Sequence, residues 1–264
     1  PADPLIVHPD VRRMLMNQKS FIEGARALIL WGAMTVDTAN RNTDEAAEGM
    51  ISLLTPVIKG FITDVAFDMT VQAQQVFGGY GYIEETGISQ IARDARIAMV
   101  FDGSNGIQAL DLLGRKVLLM TQGGAVREFT LNIANFARKH LTDKRLRPWA
   151  LELPKLTGQW NLLTVRIMLA ARKDRDVVSS SSYDFLMYSG YVTMAYMWLR
   201  QSAVAVDKLS KGGEESEAFY QAKLATAEFY YERLLPRAQS HATSMLSPTA
   251  SLMQLEDEHM AFTG

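Results

Sequence analysis

The chain has 264 residues, 48% of them hydrophobic, with a formal net charge of −2 at pH 7 and no cysteine. Nothing in these totals favours nucleic-acid binding, because a nearly neutral chain lacks the cationic surface that neutralises phosphates. The absence of cysteine excludes disulfides, thiolate metal sites and a cysteine nucleophile, and it favours a reducing, cytoplasmic location.

Helical periodicity dominates the chain. Apolar residues recur at intervals of three and four almost throughout, whereas strand patterns are nearly absent, so the predicted fold class is all-α. The first helix is predicted over residues 10–38, with Met14, Ile22 and Ile29 among the residues of its apolar face.

The second helix is predicted to begin at a cap formed by Asn42 and to continue to Phe77, where Gly78-Gly79 ends it. Pro56 predicts a kink within it. Two shorter helices are predicted next, over residues 88–101 and 105–120.

The segment 138–149 is rich in basic residues and predicts a connection between two helical units. Three longer helices are predicted after it, over 154–173, 182–210 and 214–246, with serines 179–182 as a linker and helix cap. Residues 183–199 are strongly apolar, but they are too short and too rich in tyrosine and polar residues for a membrane span, so a buried bundle helix is predicted.

The glycine cluster "QQVFGGYGY", residues 74–82, invites comparison with loops that hold phosphates. A dinucleotide-binding fingerprint needs a strand before its glycines, whereas these glycines follow a helix, so a Rossmann site is not expected. Two interpretations stay open: a helix end that continues into a turn, and a loop whose bare backbone contacts a nucleotide. No two of the four histidines have ligand spacing on one helix face, so no metal site is predicted.

Asp102 stands at the polar joint "DGSN", directly after Val100 and Phe101. Placing a carboxylate beside apolar side chains lowers the stability of the fold. We therefore expect Asp102 to have a role, either as the cap of the next helix or as a group that takes part in chemistry. The neighbouring "RDAR", residues 93–96, is typical of an ion-paired helix surface.

Residues 74–116 closely resemble the C-terminal signature of the acyl-CoA dehydrogenase family: a Gln, a Gly-Gly pair with a further glycine, an Arg-Asp pair and an aromatic-Glu-Gly-Thr turn. Residues 150–264 are similar to the additional helical domain of a long subgroup, that of methylthiopropanoyl-CoA dehydrogenase-like enzymes. The resemblance implies a C-terminal helical bundle over 1–140 and an additional helical domain over 141–264, with the family's N-terminal helical and middle β-sheet domains outside this chain.

The resemblance implies a role for the acid. In this family a carboxylate at the turn removes the proton α to the thioester carbonyl while hydride leaves the β carbon for the flavin. Asp102 matches that base, its backbone N–H would donate to the carbonyl oxygen, and Gly103 would contact the substrate. Most relatives carry Glu here, and Asp is shorter by one carbon–carbon bond, about 1.5 Å. Some branches carry the base on an earlier helix, so that alternative stays open.

The resemblance also implies FAD as cofactor. Gln75, Gly78 and Gly79 match residues that lie against the ADP half of an FAD bound mainly by a neighbouring subunit, and Ser104 matches a threonine that touches FAD. Gly106 stands where several relatives carry Gln, so that contact is not carried over.

The implied function is therefore that of the C-terminal part of a flavin-dependent acyl-CoA dehydrogenase. Its implied partners are an acyl-CoA substrate, further copies of the chain in a dimer or tetramer that shares FAD between subunits, and an electron-transfer flavoprotein. The alternative is a catalytically weak module on the same scaffold that binds acyl-CoA or serves oligomerisation. Neither a nucleic-acid partner nor a membrane span is expected.

Overall fold

The computed structural model describes residues 3–260, which are helical or in turns, with no strand in that range. The all-α prediction is therefore confirmed. The α-helices are α1 Pro9–Asn42, α2 Glu45–Pro56, α3 Ile62–Val76, α4 Ile88–Val100, α5 Asn105–Leu110, α6 Gly124–Arg138, α7 Arg147–Ala170, α8 Asp176–Lys211, α9 Glu217–Phe229, α10 Arg237–Ser244 and α11 Ala250–Met253. Three π-helical stretches continue α2, α5 and α9: Val57–Phe61, Asp111–Met120 and Tyr230–Leu234.

Helix α1 continues four residues beyond its predicted end, to Asn42, and it buries only part of the predicted face, including Met14. Ile22 and Ile29 are 50% and 46% exposed, whereas Phe21 and Leu28 are buried. The reason lies at Gly24, where an added Cβ would stand only 2.4 Å from Met194 Sδ. Helix α8 thus packs closely against α1 at Gly24. The spacing of apolar residues in the sequence does not predict this contact, because glycine is not counted as apolar.

Helices α2 and α3 form one continuous helical run through the π turn Val57–Phe61 that follows Pro56. The N-cap of α2 is Asp44, not Asn42, and its Oδ1 accepts from the backbone N–H groups of Ala46 and Ala47 at 3.0 and 3.1 Å. The predicted cap was wrong because α1 itself continues through Asn42.

Helix α8 runs through the centre of the bundle and packs against α1, α5, α7, α9 and α10. Nearly every side chain from Phe185 to Leu199 is buried, which confirms the prediction of a buried bundle helix for that segment. The prediction of a linker at serines 179–182 was wrong, because they lie within the first turns of α8. Ser181 is buried there, and its hydroxyl donates to the Met245 carbonyl at 2.7 Å.

Most of the buried apolar side chains form one cluster whose members come from both sides of residue 140. Between α6 and α7, the Asp143 carboxylate accepts from the backbone N–H groups of Arg145 and Leu146 and so stabilises the turn that precedes α7. The division into 1–140 and 141–264 stays a prediction.

One helical run among the described residues, Glu45–Val76, is long and apolar enough to cross a membrane. In the bundle, 39% of its most apolar window is buried. Buried helices of water-soluble proteins meet the same criterion, so the finding is weak evidence for a span.

Candidate functional site

The acid of the sequence motif lies in a tight turn between α4 and α5. After Val100 the chain is extended at Phe101, and then Asp102 and Gly103 both adopt positive φ, 52° and 82°. Aspartate tolerates the left-handed region better than most residues, and glycine enters it without steric cost. The sequence Asp-Gly is therefore what allows α4 to end and α5 to begin within four residues.

The Asp102 side chain is exposed, and among residues 3–260 its carboxylate has neither a hydrogen-bond donor nor a salt-bridge partner. The N-cap position of α5 belongs to Ser104, which makes no side-chain cap hydrogen bond. The interpretation of Asp102 as a helix cap thus finds no support. Val100 and Phe101 beside it are 52% and 68% exposed, so the carboxylate stands in an open apolar surrounding.

A buried polar group lies directly behind the turn. Asn105 is 6% exposed; its Oδ1 accepts from the Thr63 hydroxyl at 3.1 Å, and its Nδ2 donates to Asp64 Oδ2 at 3.4 Å. The other Asp64 oxygen accepts from the hydroxyl of Tyr183 on α8 at 3.1 Å. Burial and this contact raise the pKa of Tyr183, because the carboxylate opposes a phenolate. The start of α3 and helix α8 therefore both support the turn.

The glycine cluster follows α3 as a short 3₁₀ turn, Gly78–Gly81. Gly78 has a φ of 61°, and a Cβ added at Gly78 or Gly79 would meet nothing within 4 Å, so both backbones face open space. Gly81 differs, because a Cβ there would lie 2.2 Å from the Gln74 carbonyl oxygen. The Gln74 amide donates back to the Gly81 carbonyl at 3.1 Å, whereas Gln75 is exposed.

The structure does not bring these two groups of predicted site residues together. Asp102, Gly103 and Ser104 follow the C-terminal end of α4, and the glycine cluster precedes its N-terminal end. A helix of 13 residues is about 20 Å long. One chain therefore presents an acidic turn and an open glycine turn at opposite ends of α4.

Arg93, Asp94 and Arg96 line a groove of about 620 Å³ between α3 and α4. The Arg96 guanidinium lies 5.7 Å from the centre of the Phe67 ring, and Asp94 accepts from Gln90 at 2.7 Å. Among residues 3–260 neither arginine pairs with Asp94, so the prediction of an ion-paired surface was wrong; Asp94 contacts Gln90 and Arg96 contacts Phe67 instead.

A second cavity, of about 500 Å³, opens between α2, the π stretch Asp111–Met120 and α6. None of the predicted site residues lines it. Its Lys116 donates to the Ser52 carbonyl at 2.5 Å, and burial lowers the pKa of Lys116 although Asp111 lies 3.5 Å away. These contacts join α2 to the π stretch.

The sequence motifs indicate Asp102, Gly103, Ser104 and the glycine cluster as site residues, which stays a prediction, but they assign no role to the polar residues behind the turn. Asn105 is the last residue of the "DGSN" joint but was given no role, whereas Thr63, Asp64 and Tyr183 belong to no motif, and Tyr183 is distant from the others in sequence. The one local signal is Pro56, which precedes the π turn that faces the acidic turn. π-helical turns inside helices occur frequently at functional sites.

Comparisons with known proteins cover nearly the whole chain. Residues 2–118 match the family model described as acyl-CoA dehydrogenase, C-terminal domain, and residues 129–256 match the model described as acetyl-CoA dehydrogenase C-terminal like. The 3-methylmercaptopropionyl-CoA dehydrogenase of Ruegeria pomeroyi is 33% identical over 96% of this chain and 43% of its own length. The broad-specificity linear acyl-CoA dehydrogenase FadE5 of Mycobacterium tuberculosis is 31% identical over 95% of this chain and 43% of its own length.

A solved structure of Caenorhabditis elegans ACDH-11 in complex with C11-CoA matches 80% of this chain and 34% of that chain, with a TM-score of 0.64. Its sequence identity is 20%, so it supports the fold alone. The chain spans less than half the length of these curated relatives.

Proposed function

The chain belongs to the acyl-CoA dehydrogenase family, whose C-terminal domain models match its two halves, and on this premise we propose that it carries the catalytic turn of a flavin-dependent acyl-CoA dehydrogenase. The reaction introduces a double bond between the α and β carbons of an acyl-CoA thioester. The chain spans 43% of the length of its curated relatives, so the activity is assigned to the full-length polypeptide. We expect the 264-residue chain alone to be inactive.

The observation that carries the proposal is an exposed carboxylate, without a partner among residues 3–260, at the tip of a turn with two consecutive positive φ angles. Asp102 would remove the α proton, and the electrons of that C–H bond would form the double bond as hydride leaves the β carbon. The backbone N–H of Asp102 would donate to the thioester oxygen and stabilise the developing negative charge. Gly103, without a side chain, leaves room for the substrate at this turn.

The open glycine turn fits a bound dinucleotide. The backbones of Gly78 and Gly79 face free space, and the exposed amide of Gln75 lies one turn before them. Acyl-CoA dehydrogenases use FAD, which supplies the hydride acceptor when bound. We assign Gln75, Gly78 and Gly79 to its ADP half and Ser104, at the acidic turn, to a second FAD contact. The two ends of α4 are about 20 Å apart. FAD molecules shared between the subunits of a dimer or tetramer would explain both contacts, that of the glycine turn and that of Ser104.

The remaining partners follow from the same assignment. We propose an acyl-CoA as substrate, an electron-transfer flavoprotein as electron acceptor, and a cytoplasmic location without a membrane span. The family relationship supports the substrate class and the oligomer, and the absence of cysteine is consistent with a reducing compartment.

The first test is the flavin absorbance of the full-length protein under anaerobic conditions, before and after addition of a panel of acyl-CoA thioesters. We expect bleaching in the native protein and a rate about 10²–10⁴-fold lower in Asp102→Asn, because the amide cannot accept the proton. FAD content, measured from the absorbance of the resting protein, should be unchanged. Undiminished bleaching in Asp102→Asn would assign the base to another residue.

A second candidate function rests on the presence of Asp102 where most relatives carry Glu. The carboxylate reach is shorter by about 1.5 Å, and a displacement of about 1 Å can cost a hundredfold in rate. The protein could then bind acyl-CoA with little turnover. Tight acyl-CoA binding without bleaching in the native protein, together with bleaching in Asp102→Glu, would favour this alternative.

A further inference from the structure

The acidic turn is held from behind by a lysine that no motif marks. Lys59 lies in the π turn Val57–Phe61, and its ammonium group donates to the Gly103 carbonyl at 2.5 Å. The two residues are 44 positions apart, so this contact joins α2 and α3 to the turn between α4 and α5. Pro56, which lacks a backbone N–H, directly precedes the π turn that carries Lys59.

The same ammonium group makes a second hydrogen bond, to Asn105 Oδ1 at 3.1 Å. The buried Asn105 side chain is itself fixed by Thr63 and Asp64, so the lysine binds to a rigid neighbour. Lys59 forms no salt bridge within residues 3–260. Its ammonium group therefore donates to oxygen atoms of the turn and of the first residue of α5, and hydrogen bonds from charged donors are stronger than those between neutral groups.

The turn needs an external contact of this kind. Asp102 and Gly103 are both in the left-handed region, which is strained for a non-glycine residue such as Asp102. The Asp102 side chain has no partner among the described residues that could hold it. The carbonyl that Lys59 holds belongs to the residue directly after Asp102, so this contact fixes the backbone from which the carboxylate projects.

We propose that Lys59 is the positioning residue of the acidic turn: it acts through the Gly103 carbonyl and Asn105 to hold the Asp102 carboxylate where it meets the α proton. The inference rests on the proposed function. Without the lysine the strained turn can relax, and a displacement of about 1 Å at the reacting group lowers the rate about a hundredfold.

The test compares Lys59→Met with the native full-length flavoprotein. Methionine keeps an unbranched apolar stem but donates no hydrogen bond. We expect the rate of flavin bleaching at saturating acyl-CoA to fall about 10–100-fold, with FAD content and the dissociation constant for acyl-CoA unchanged within about twofold. Lys59→Arg, which keeps charge and donors, should recover part of the rate. The control is Lys155→Met, which removes an exposed lysine of α7 that pairs with Glu152 and should leave the rate unchanged.

A second readout does not depend on flavin reduction. In D₂O, 3,3-dimethylbutanoyl-CoA can exchange its α protons but has no β hydrogen to lose as hydride, so mass spectrometry of its deuterium content follows the base alone. We expect the exchange rate to fall in Lys59→Met by about the same factor as the bleaching rate. Equal rates in Lys59→Met and native protein, or a loss of FAD and acyl-CoA binding in proportion to the rate, would overturn the positioning role.

The results that would refute the proposed function differ from those that would refute the role of Lys59 alone. A native protein that neither bleaches with any acyl-CoA nor exchanges α protons would refute the dehydrogenase assignment and with it the role of Lys59. A native protein that does both, and whose Lys59→Met variant does so at the same rate, refutes the positioning role alone.

Discussion

Gly190 marks the closest approach of α8 to the π turn that carries Lys59. A Cβ added at Gly190 would lie 2.1 Å from Cγ of Phe61, and that ring is fully buried. We expect Gly190→Ala to lower the free energy of unfolding by about 1–3 kcal/mol, because overpacking a closed core forces the ring or the backbone to move. Urea unfolding of the chain would measure it.

The matched control is Gly158→Ala in α7, where an added Cβ meets nothing within 4 Å. This variant gains helix propensity without a clash, so its free energy of unfolding should rise by up to about 1 kcal/mol. Similar effects of the two substitutions would contradict the tight packing of Phe61 against α8.

Single residues could be predicted from the sequence where their chemistry is local. The Asp-Gly pair at 102–103 is both acid and turn former, and the positive φ angles agree with that interpretation. The roles of Lys59 and Asn105 could not be predicted, because the lysine acts through a contact across 44 residues and Asn105 is buried, which its residue type does not favour. The roles of Asp102, Gln75 and the glycines stay predictions.

At the scale of elements, Glu23 joins two helices that are distant in sequence. On α1 it accepts from Lys19 of the same helix and, at 2.7 Å, from Lys223 of α9. Partial burial opposes the charge of the carboxylate, but the two lysines outweigh it and lower the pKa of Glu23. A carboxyl whose pKa is lowered by folding stabilises the fold above its unfolded pKa and loses that contribution as the pH falls.

We therefore expect Glu23→Gln to lower the free energy of unfolding by about 1 kcal/mol at pH 7. The difference from the native protein should begin to shrink as the pH falls below the unfolded pKa of glutamate, about 4.3, and it should vanish once the pH has passed the lower pKa of the native carboxyl. Urea unfolding at a series of pH values would measure it, with Glu152→Gln in an exposed pair as the control. A difference that stays constant down to pH 3 would contradict the ion-pair explanation.

The helices themselves could be predicted well because their periodicity is long and regular, but their ends and faces could not. Asn42 has the right residue type for a cap, yet Asp44 provides it, since the preceding helix continues through Asn42. Serines 179–182 have the composition of a linker, but tertiary packing places them inside α8, where Ser181 gains a partner in Met245. For the serines, a contact 64 residues away in sequence decided the outcome.

For the molecule as a whole, the single buried cluster predicts that residues 1–140 do not fold alone. Without α8, Phe61 loses Tyr191, whose ring centre lies 5.0 Å from its own, and Trp31 loses Tyr196 at 5.8 Å. We expect the 1–140 fragment to bind the dye ANS and to lack a sharp urea transition, whereas the 264-residue chain unfolds in one transition. Cooperative unfolding of the fragment would instead support an independent domain that ends at residue 140.

The central position of α8 also determines the order of events on the ribosome. Helix α1 and the π turn Val57–Phe61 leave the exit tunnel long before α8, which ends only at Lys211. At about 5–20 residues per second, synthesis from the end of α1 to the end of α8 takes roughly 10–30 s. Throughout that interval the apolar side chains that α8 later covers are in contact with solvent. The early helices of the nascent chain can therefore aggregate until translation has passed Lys211.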